Sequence, residues 1–188
     1  MPPLIDFHYQ DALLIVDVQN DFCQGGSLAI AGADAIIPVL NDWINAAIDA
    51  GILIFVTRDW HPVGHVSFKQ HGGIWPVHCV QDTEGAQFHP ALHVTERMIR
   101  VSKGTRFDQD AYSAFDGTGL ASFLHRFHIK RLWIGGLAED VCVMHTALDA
   151  MKEGFEAHLI RAATRPVHPE KEAEILETLR HSGVVIEE

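Results

Sequence analysis

The chain has 188 residues, of which 47% are hydrophobic and 21% are charged, with a formal net charge of -11 at pH 7. This length and composition fit a globular protein with a single domain over residues 1–188. The acidic balance argues against nucleic acid as a partner, because binding to phosphates needs a basic surface.

Two further features bear on location. No apolar run is long enough to cross a bilayer, and the N-terminus lacks the basic-then-apolar pattern of a secretory signal. The three cysteines show no disulfide-like spacing, which fits a reducing compartment. We therefore expect a cytoplasmic protein with no membrane partner.

Apolar runs of strand length alternate with runs of helical periodicity along the chain. In chain order they predict a strand at 12–18, a helix at 34–50, strands at 52–57 and 97–101, a helix at 120–127, a strand at 131–134, a helix at 141–152, a strand at 157–160, a helix at 169–181 and a strand at 184–186. The stretch from 59 to about 95 is rich in Gly, Pro and His and is predicted to be irregular. Irregular stretches of that length are usually functional.

Continuous apolar strands alternating with amphipathic helices predict an α/β fold of three layers. A central, mostly parallel six-stranded sheet would carry helices on both faces. Ligands of such sheets bind beyond the carboxyl ends of the strands. The side chains best suited to chemistry lie at these ends, so we expect them at one edge of the sheet: Asp17, Asp59, His61, Lys103 and Cys142.

Cys142 follows a predicted strand and opens a predicted helix. A thiol in the first turn of a helix lies at the positive end of the helix dipole, which lowers its pKa. Unpaired backbone N–H groups there can hold an oxyanion. This position favours a nucleophile.

Asp17 and Lys103 each have a structural and a functional interpretation. Asp17 interrupts an apolar run, where it either caps a turn with Asn20 or acts as a general base whose pKa is raised by burial. Lys103 is either a solvated residue before a turn or, beside Asp17 and Cys142, an ammonium that favours the thiolate.

Asp59, His61 and His78 form a candidate ligand set for one divalent metal ion. Residues at i and i+2 of an extended segment point the same way, so Asp59 and His61 can reach one ion. Two histidines and a carboxylate suit zinc first, with iron or manganese as alternatives. Rival ligands in the same loop are His65, His71 and Cys79, of which we interpret Cys79 as packing.

Aromatic side chains near these residues could wall a flat pocket. The candidates are Phe22, Trp60 and Trp75, with core packing as the default interpretation for Trp60. We assign no role to Cys23.

Four segments in order resemble the nicotinamidase/pyrazinamidase branch of the isochorismatase-like cysteine hydrolases, over roughly residues 12–154. They are DVQNDF (17–22), DWHP (59–62) with WPVHC (75–79), KG (103–104) with YSAF (112–115), and GLAEDVCV (136–143). The resemblance implies an isochorismatase-like, Rossmann-like form of the predicted fold.

The resemblance also implies roles. Asp17, Lys103 and Cys142 would be catalytic, the N–H groups of Ala138 and Cys142 would form the oxyanion hole, and a cis peptide bond would precede Ala138. The substrate would be a small carboxamide, nicotinamide, hydrolysed through a thioester to nicotinate and ammonia.

The same resemblance assigns Asp59, His61 and His78 to the metal, which would bind the pyridine nitrogen directly or through water. Phe22 and Trp75 would border the substrate ring. The chain departs from the family at residue 162, where Ala162 replaces a common aspartate, so the support of the following loop is left open.

Alternatives to this function remain at this point. They are a related amidase with another small carboxamide, a non-catalytic metal-binding protein of the same fold, and a redox-sensing thiol protein. The sequence is also compatible with a homo-oligomer.

Overall fold

A computed structural model describes residues 5–188, in which six parallel strands form one sheet. The strands are β1 (Asp11–Val16), β2 (Leu53–Asp59), β3 (Ile99–Lys103), β4 (Arg131–Leu137), β5 (Glu156–Arg165) and β6 (Val185–Glu187). Their order across the sheet is β3-β2-β1-β4-β5-β6. The prediction of a six-stranded, mostly parallel sheet is confirmed.

Four α-helices cover the two faces of this sheet: α1 (Ile36–Ala50), α2 (Leu120–Arg126), α3 (Met144–Lys152) and α4 (Glu172–His181). Alternate residues of β1 point to opposite faces, as a strand requires. Leu13 and Ile15 pack in the cluster that includes α1, whereas Leu14 and Val16 pack with residues of α2, α3 and α4. Helices therefore lie on both faces, as predicted.

The strand order reverses between β1 and β4, which places a crevice beyond their carboxyl ends. The two strands approach closely here at Gly136, which has a φ of 122°. A Cβ at Gly136 would lie 2.1 Å from the carbonyl oxygen of Val16, so glycine is required. The crevice lies beside the residues that follow β1 and β4.

Several element boundaries differ from the predictions. β2 and β3 run two residues further than predicted, so Asp59 and Lys103 are the last residues of paired strands and lie opposite each other. Backbone pairing with a neighbouring strand keeps these polar ends in the sheet, and apolar periodicity does not report that pairing. The predicted helix at 141–152 is instead a π-type turn, Glu139–Val143, followed by α3.

The segment between β2 and β3 is irregular, as predicted, and contains only short 3-10 turns at Lys69–His71 and Glu84–Ala86. Isolated bridges join His61 to Val80 and Phe68 to Trp75. These bridges pair parts of the loop with each other, and a further bridge joins Phe88 of the loop to Gln19 after β1. Among the described residues, no helix is long and apolar enough to cross a membrane.

Candidate active site

Three buried side chains from the carboxyl ends of different strands meet at the crevice. The Lys103 Nζ atom lies 3.4 Å from the Cys142 Sγ atom and 2.8 Å from Asp17 Oδ2. The Cys142 sulfur also lies within 4.8 Å of a carboxylate oxygen of Asp17 and of Asp59. The prediction that these side chains converge at one edge of the sheet is confirmed.

Local backbone geometry and strand pairing place these groups. Asp17 has a φ of 50°, which turns the chain out of β1, and its Oδ1 accepts a 2.7 Å hydrogen bond from the Thr57 hydroxyl. Lys103 ends β3 and donates a hydrogen bond to Asp59 at the end of β2. Both oxygens of the fully buried Asp17 carboxylate therefore face a donor or a cation, and these contacts offset the free-energy cost of burying it.

The charges at this centre control its protonation. Burial opposes ionisation of Lys103, but Asp17 and Asp59 outweigh it and hold the pKa of the ammonium well above its usual range. Burial also opposes ionisation of Asp59, yet Lys103 and the neighbouring imidazoles lower the pKa of that carboxyl. For Asp17, burial dominates and raises the pKa, with Lys103 partly offsetting it. Asp17 is thus the carboxyl better suited to accept and return a proton.

The prediction that a helix N-terminus lowers the pKa of Cys142 is wrong. The residue lies in a π-type turn and not in the first turn of an α-helix. Burial raises the pKa of its thiol well above the usual value; Lys103 acts in the opposite direction, and the charges of Asp17 and Asp59 add to the rise. Nucleophilic use of the sulfur therefore requires a base that removes its proton as it reacts.

The Leu137–Ala138 peptide bond is cis, as the resemblance implies. The carbonyl oxygen of Ala138 accepts hydrogen bonds from the N–H groups of Val141 and Val143. Within residues 5–188 the Ala138 N–H has no hydrogen-bond partner, and Ala138 and Cys142 both line the same cavity. This N–H group is available to an oxygen of a bound molecule.

Asp59, His61 and His78 form a buried cluster next to the thiol. Asp59 Oδ2 lies 3.6 Å from His61 Nε2 and 3.8 Å from His78 Nε2. The Nδ1 atoms of the two imidazoles lie 2.7 Å from the carbonyl oxygens of Gly104 and Pro76. A carbonyl only accepts, so each Nδ1 carries the proton and each Nε2 keeps a lone pair for a ligand. These residues fit one divalent metal ion.

Gly104 has a specific part in this arrangement. Its φ is 61°, and a Cβ at this position would lie 2.5 Å from the His61 ring. Only glycine lets the chain pass so close that its own carbonyl orients the imidazole. The Lys103-Gly104 pair thus supplies the ammonium and a support for the candidate metal ligand.

His65 is not arranged as a metal ligand in this structure. Its Nδ1 accepts hydrogen bonds from the Ser67 N–H at 3.2 Å and from the Ser67 hydroxyl at 2.7 Å. Its Nε2 then carries the proton and donates to the Gln109 carbonyl at 3.0 Å. Both nitrogens are engaged, and the ring stacks on His61 with a centroid distance of 4.0 Å. His65 supports the candidate ligand without offering a lone pair.

The two remaining rival ligands, His71 and Cys79, lie outside the candidate metal cluster of Asp59, His61 and His78. His71 is exposed on the surface of the loop. Cys79 and Cys23 are buried, free thiols in the cluster on the α1 face of the sheet, whereas Cys142 packs in the cluster on the other face. Burial raises the pKa of both, that of Cys23 to about 12. The packing interpretation of Cys79 fits this placement.

Two polar residues of the segment 17–22 have parts that sequence reasoning missed. The buried Gln19 amide donates to the Asp59 carbonyl at 2.8 Å, and its oxygen accepts from the Asp59 N–H at 2.9 Å. Asp21 Oδ2 accepts from the Cys79 N–H at 2.7 Å. These bonds fix both segments of the candidate metal cluster. Their polarity within one short segment was a signal, but their partners lie about 40 and 58 residues away.

A cavity of about 410 Å³, open solvent at its mouth included, lies over the thiol and the candidate metal cluster. The predicted pocket residues Phe22 and Trp75 line it, together with Asp59, His78, Ala138 and Cys142. Sequence reasoning missed the further lining residues Leu28, Ile30, Asp110, Tyr112, Val141 and Val167.

Trp60 is not a lining residue of this cavity. It packs against the core on the α1 face, with the Arg58 guanidinium 3.8 Å from its ring centroid. The default interpretation of Trp60 as a packing residue is confirmed.

Residues 11–188 match the family model described as the Isochorismatase domain. The chain belongs to this family. It is 40% identical to the nicotinamidase of Acinetobacter baylyi over 178 residues, which cover 83% of this chain and 81% of that protein.

Solved structures agree with this assignment. The Pyrococcus horikoshii pyrazinamidase in complex with zinc is 45% identical, with a TM-score of 0.92 over 95% of this chain and 99% of that one. The L. infantum protein in complex with nicotinate is 38% identical, with a TM-score of 0.88 over 96% and 93% of the two chains. The family resemblance and the fold predicted from the sequence are confirmed.

Proposed function

We propose that this chain is a metal-assisted cysteine amidohydrolase that converts nicotinamide to nicotinate and ammonia. The observation that carries the proposal is the convergence of three side chains: the Lys103 ammonium contacts both the Cys142 sulfur and the Asp17 carboxylate, and Cys142 lines a cavity with aromatic walls. The side chains suited to hold a metal ion lie beside it. Similarity to a named nicotinamidase and to a relative solved with nicotinate supports the choice of substrate.

The first half of the reaction forms a thioester. Asp17 takes the thiol proton as the Cys142 sulfur attacks the carboxamide carbon. The Lys103 ammonium stabilises the negative charge that passes from the Asp17 carboxylate to the sulfur as the proton moves the other way. The N–H groups of Ala138 and Cys142 donate to the oxyanion of the tetrahedral intermediate, an effect worth about 3–4 kcal/mol per donor in comparable sites.

The second half releases the products. Asp17 returns its proton to the nitrogen as the C–N bond breaks, and ammonia leaves. A water molecule then attacks the thioester carbon, with Asp17 again accepting a proton. The C–S bond breaks, and the proton returns to the sulfur, so that one water is consumed and the acid is formed. The raised pKa of the buried Asp17 suits both directions of transfer.

The metal ion would be held by Asp59, His61 and His78. When bound, it supplies a Lewis acid for the pyridine nitrogen, directly or through water. We propose zinc, because the donor set suits it and a relative was solved with zinc; iron and manganese are the alternatives. Phe22 and Trp75 border the ring and orient its plane.

The test is ammonia release by the purified chain from nicotinamide, with and without a chelator, compared with pyrazinamide and benzamide. We expect nicotinamide to be hydrolysed, and benzamide, which lacks a ring nitrogen, to be a poor substrate. A strong preference for an unrelated carboxamide would identify a different amidase. Absence of hydrolysis by the metal-loaded chain would contradict the proposal in favour of a binding protein.

The covalent step is tested by Cys142→Ala, with Cys23→Ala as a matched control that removes a buried thiol outside the centre. We expect Cys142→Ala to lower the rate of ammonia release by about 1,000-fold or more while its bound metal is retained. The control should keep most of the activity. Substantial turnover by Cys142→Ala would rule out the thioester.

A further inference from the structure

One wall of the substrate cavity comes from the short segment between β5 and α4. Val167 lines the cavity and packs, half-buried, against the core on the α1 face. Val167 lines this cavity together with Ala138 and Cys142. The position of this one segment therefore limits the space beside the thiol.

The backbone of that segment is held by a single carboxylate. The N–H of Val167 donates to Asp140 Oδ1 at 2.8 Å, and the N–H of His168 donates to Asp140 Oδ2 at 2.9 Å. Hydrogen bonds to an ionised acceptor are among the stronger ones in proteins. Asp140 belongs to the π-type turn that contains Cys142, so one side chain joins the nucleophile turn to the cavity wall.

Other anchors for the segment are few. Pro166 has no N–H to donate, and Ala162, which is exposed in β5, has no side-chain acceptor to offer the segment. Within the part of the chain that the structure describes, no other side chain accepts a hydrogen bond from the backbone of residues 166–168. Asp140 thus supplies the side-chain support of this segment.

We propose that Asp140 is a positioning residue that sets the width of the substrate cavity by fixing Val167. It thereby selects single-ring carboxamides over larger ones. The inference rests on the proposed function, since it deepens the substrate range of the same site. Asp140 acts through the wall and takes no part in the chemical step.

The kinetic test compares nicotinamide with quinoline-3-carboxamide, a two-ring amide with the same ring nitrogen. For Asp140→Ala we expect KM for nicotinamide to rise about 10-fold with kcat changed by less than about 3-fold. The kcat/KM ratio of the larger to the smaller amide should rise about 10-fold. Asp140→Asn keeps one acceptor oxygen, so its KM and its kcat/KM ratio should lie between those of the wild type and Asp140→Ala.

Two further variants separate positioning from general damage. Val167→Ala should widen the cavity directly and reproduce the selectivity change, and adding Asp140→Ala to it should alter selectivity by less than about 2-fold. Asp149→Ala, which removes a carboxylate paired with the exposed Lys152, is the matched control and should change neither constant. Additive effects of the two substitutions, or an equal fall in kcat for both amides, would overturn the proposal.

A measurement without substrate keeps the inference distinct from the proposed function. Amide hydrogen exchange at Val167 and His168 should be at least about 10-fold faster in Asp140→Ala and in Asp140→Asn than in the wild type. This result is expected whether the chain hydrolyses nicotinamide or another amide. If the chain does not hydrolyse nicotinamide but the variants show the faster exchange, the proposed substrate is refuted and the anchoring role of Asp140 is retained. Unchanged exchange in both variants would refute the anchor itself.

Discussion

Glu139 is a buried carboxyl group three residues before Cys142. Its side chain is 1% exposed, and within residues 5–188 neither oxygen has a hydrogen-bond partner. Burial raises the pKa of Glu139 to about 7, and the nearby negative charges of Glu172 and Asp140 add to the rise. The cations of Arg161 and Arg165 only partly oppose it. The folded protein therefore favours the neutral acid.

Because of this raised pKa, the free energy of unfolding falls as the pH rises. The ordinary value is 4.5, so the stabilising contribution of protonation is complete below 4.5 and is lost as the pH rises through about 7. The difference between these two pKa values corresponds to a loss of roughly 3 kcal/mol in the free energy of unfolding well above pH 7. About 2.5 kcal/mol of this is lost between about pH 5 and pH 8. Glutamine has the same shape and no charge, so Glu139→Gln removes this dependence.

The assay is denaturant unfolding of the wild type and Glu139→Gln from about pH 5 to pH 8.5, both loaded with metal. We expect similar free energies of unfolding near pH 5 and a variant more stable by about 2–3 kcal/mol above pH 8. Glu153→Gln, at an exposed position, is the matched control and should track the wild type. If the difference in free energy of unfolding between the two proteins stays constant with pH, the pKa of Glu139 is not raised in the folded state.

Two other substitutions test the charged centre. Lys103→Met should abolish ammonia release and lower the free energy of unfolding by about 3–5 kcal/mol, because the substitution removes the ammonium that pairs with the buried Asp17 and Asp59. A free energy of unfolding equal to that of the wild type, measured by denaturant unfolding, would contradict this account. His61→Ala should release the bound metal and raise KM for nicotinamide, as measured by elemental analysis and steady-state kinetics, and full metal content would place the ligand set elsewhere.

The convergence of Asp17, Lys103 and Cys142 was predictable because it needs only local information. Apolar periodicity reports which segments are buried on both sides, and parallel strands bring their carboxyl ends to one edge. The polar residues at those ends were then expected to meet. The cis bond before Ala138 was implied only by the family resemblance, since periodicity does not indicate it.

The availability of lone pairs was decided only by the tertiary structure. His61 and His65 are equivalent in the sequence as candidate ligands, but Gly104 orients the first, while Ser67 and the Gln109 carbonyl occupy both nitrogens of the second. The partners of His61 and of His65 Nε2 lie 43 and 44 residues away, beyond the reach of any local pattern.

The alternating strands and helices and the chemical groups at the sheet edge could be predicted from the sequence, because burial and residue type are local properties. The state of the thiol and the shape of the cavity became evident only from the folded chain. Burial and two carboxylates raise the pKa of Cys142 where a helix end was expected to lower it. The wall at Val167 depends on Asp140, 27 residues earlier, because electrostatics and cavity shape are sums over groups that folding alone brings together.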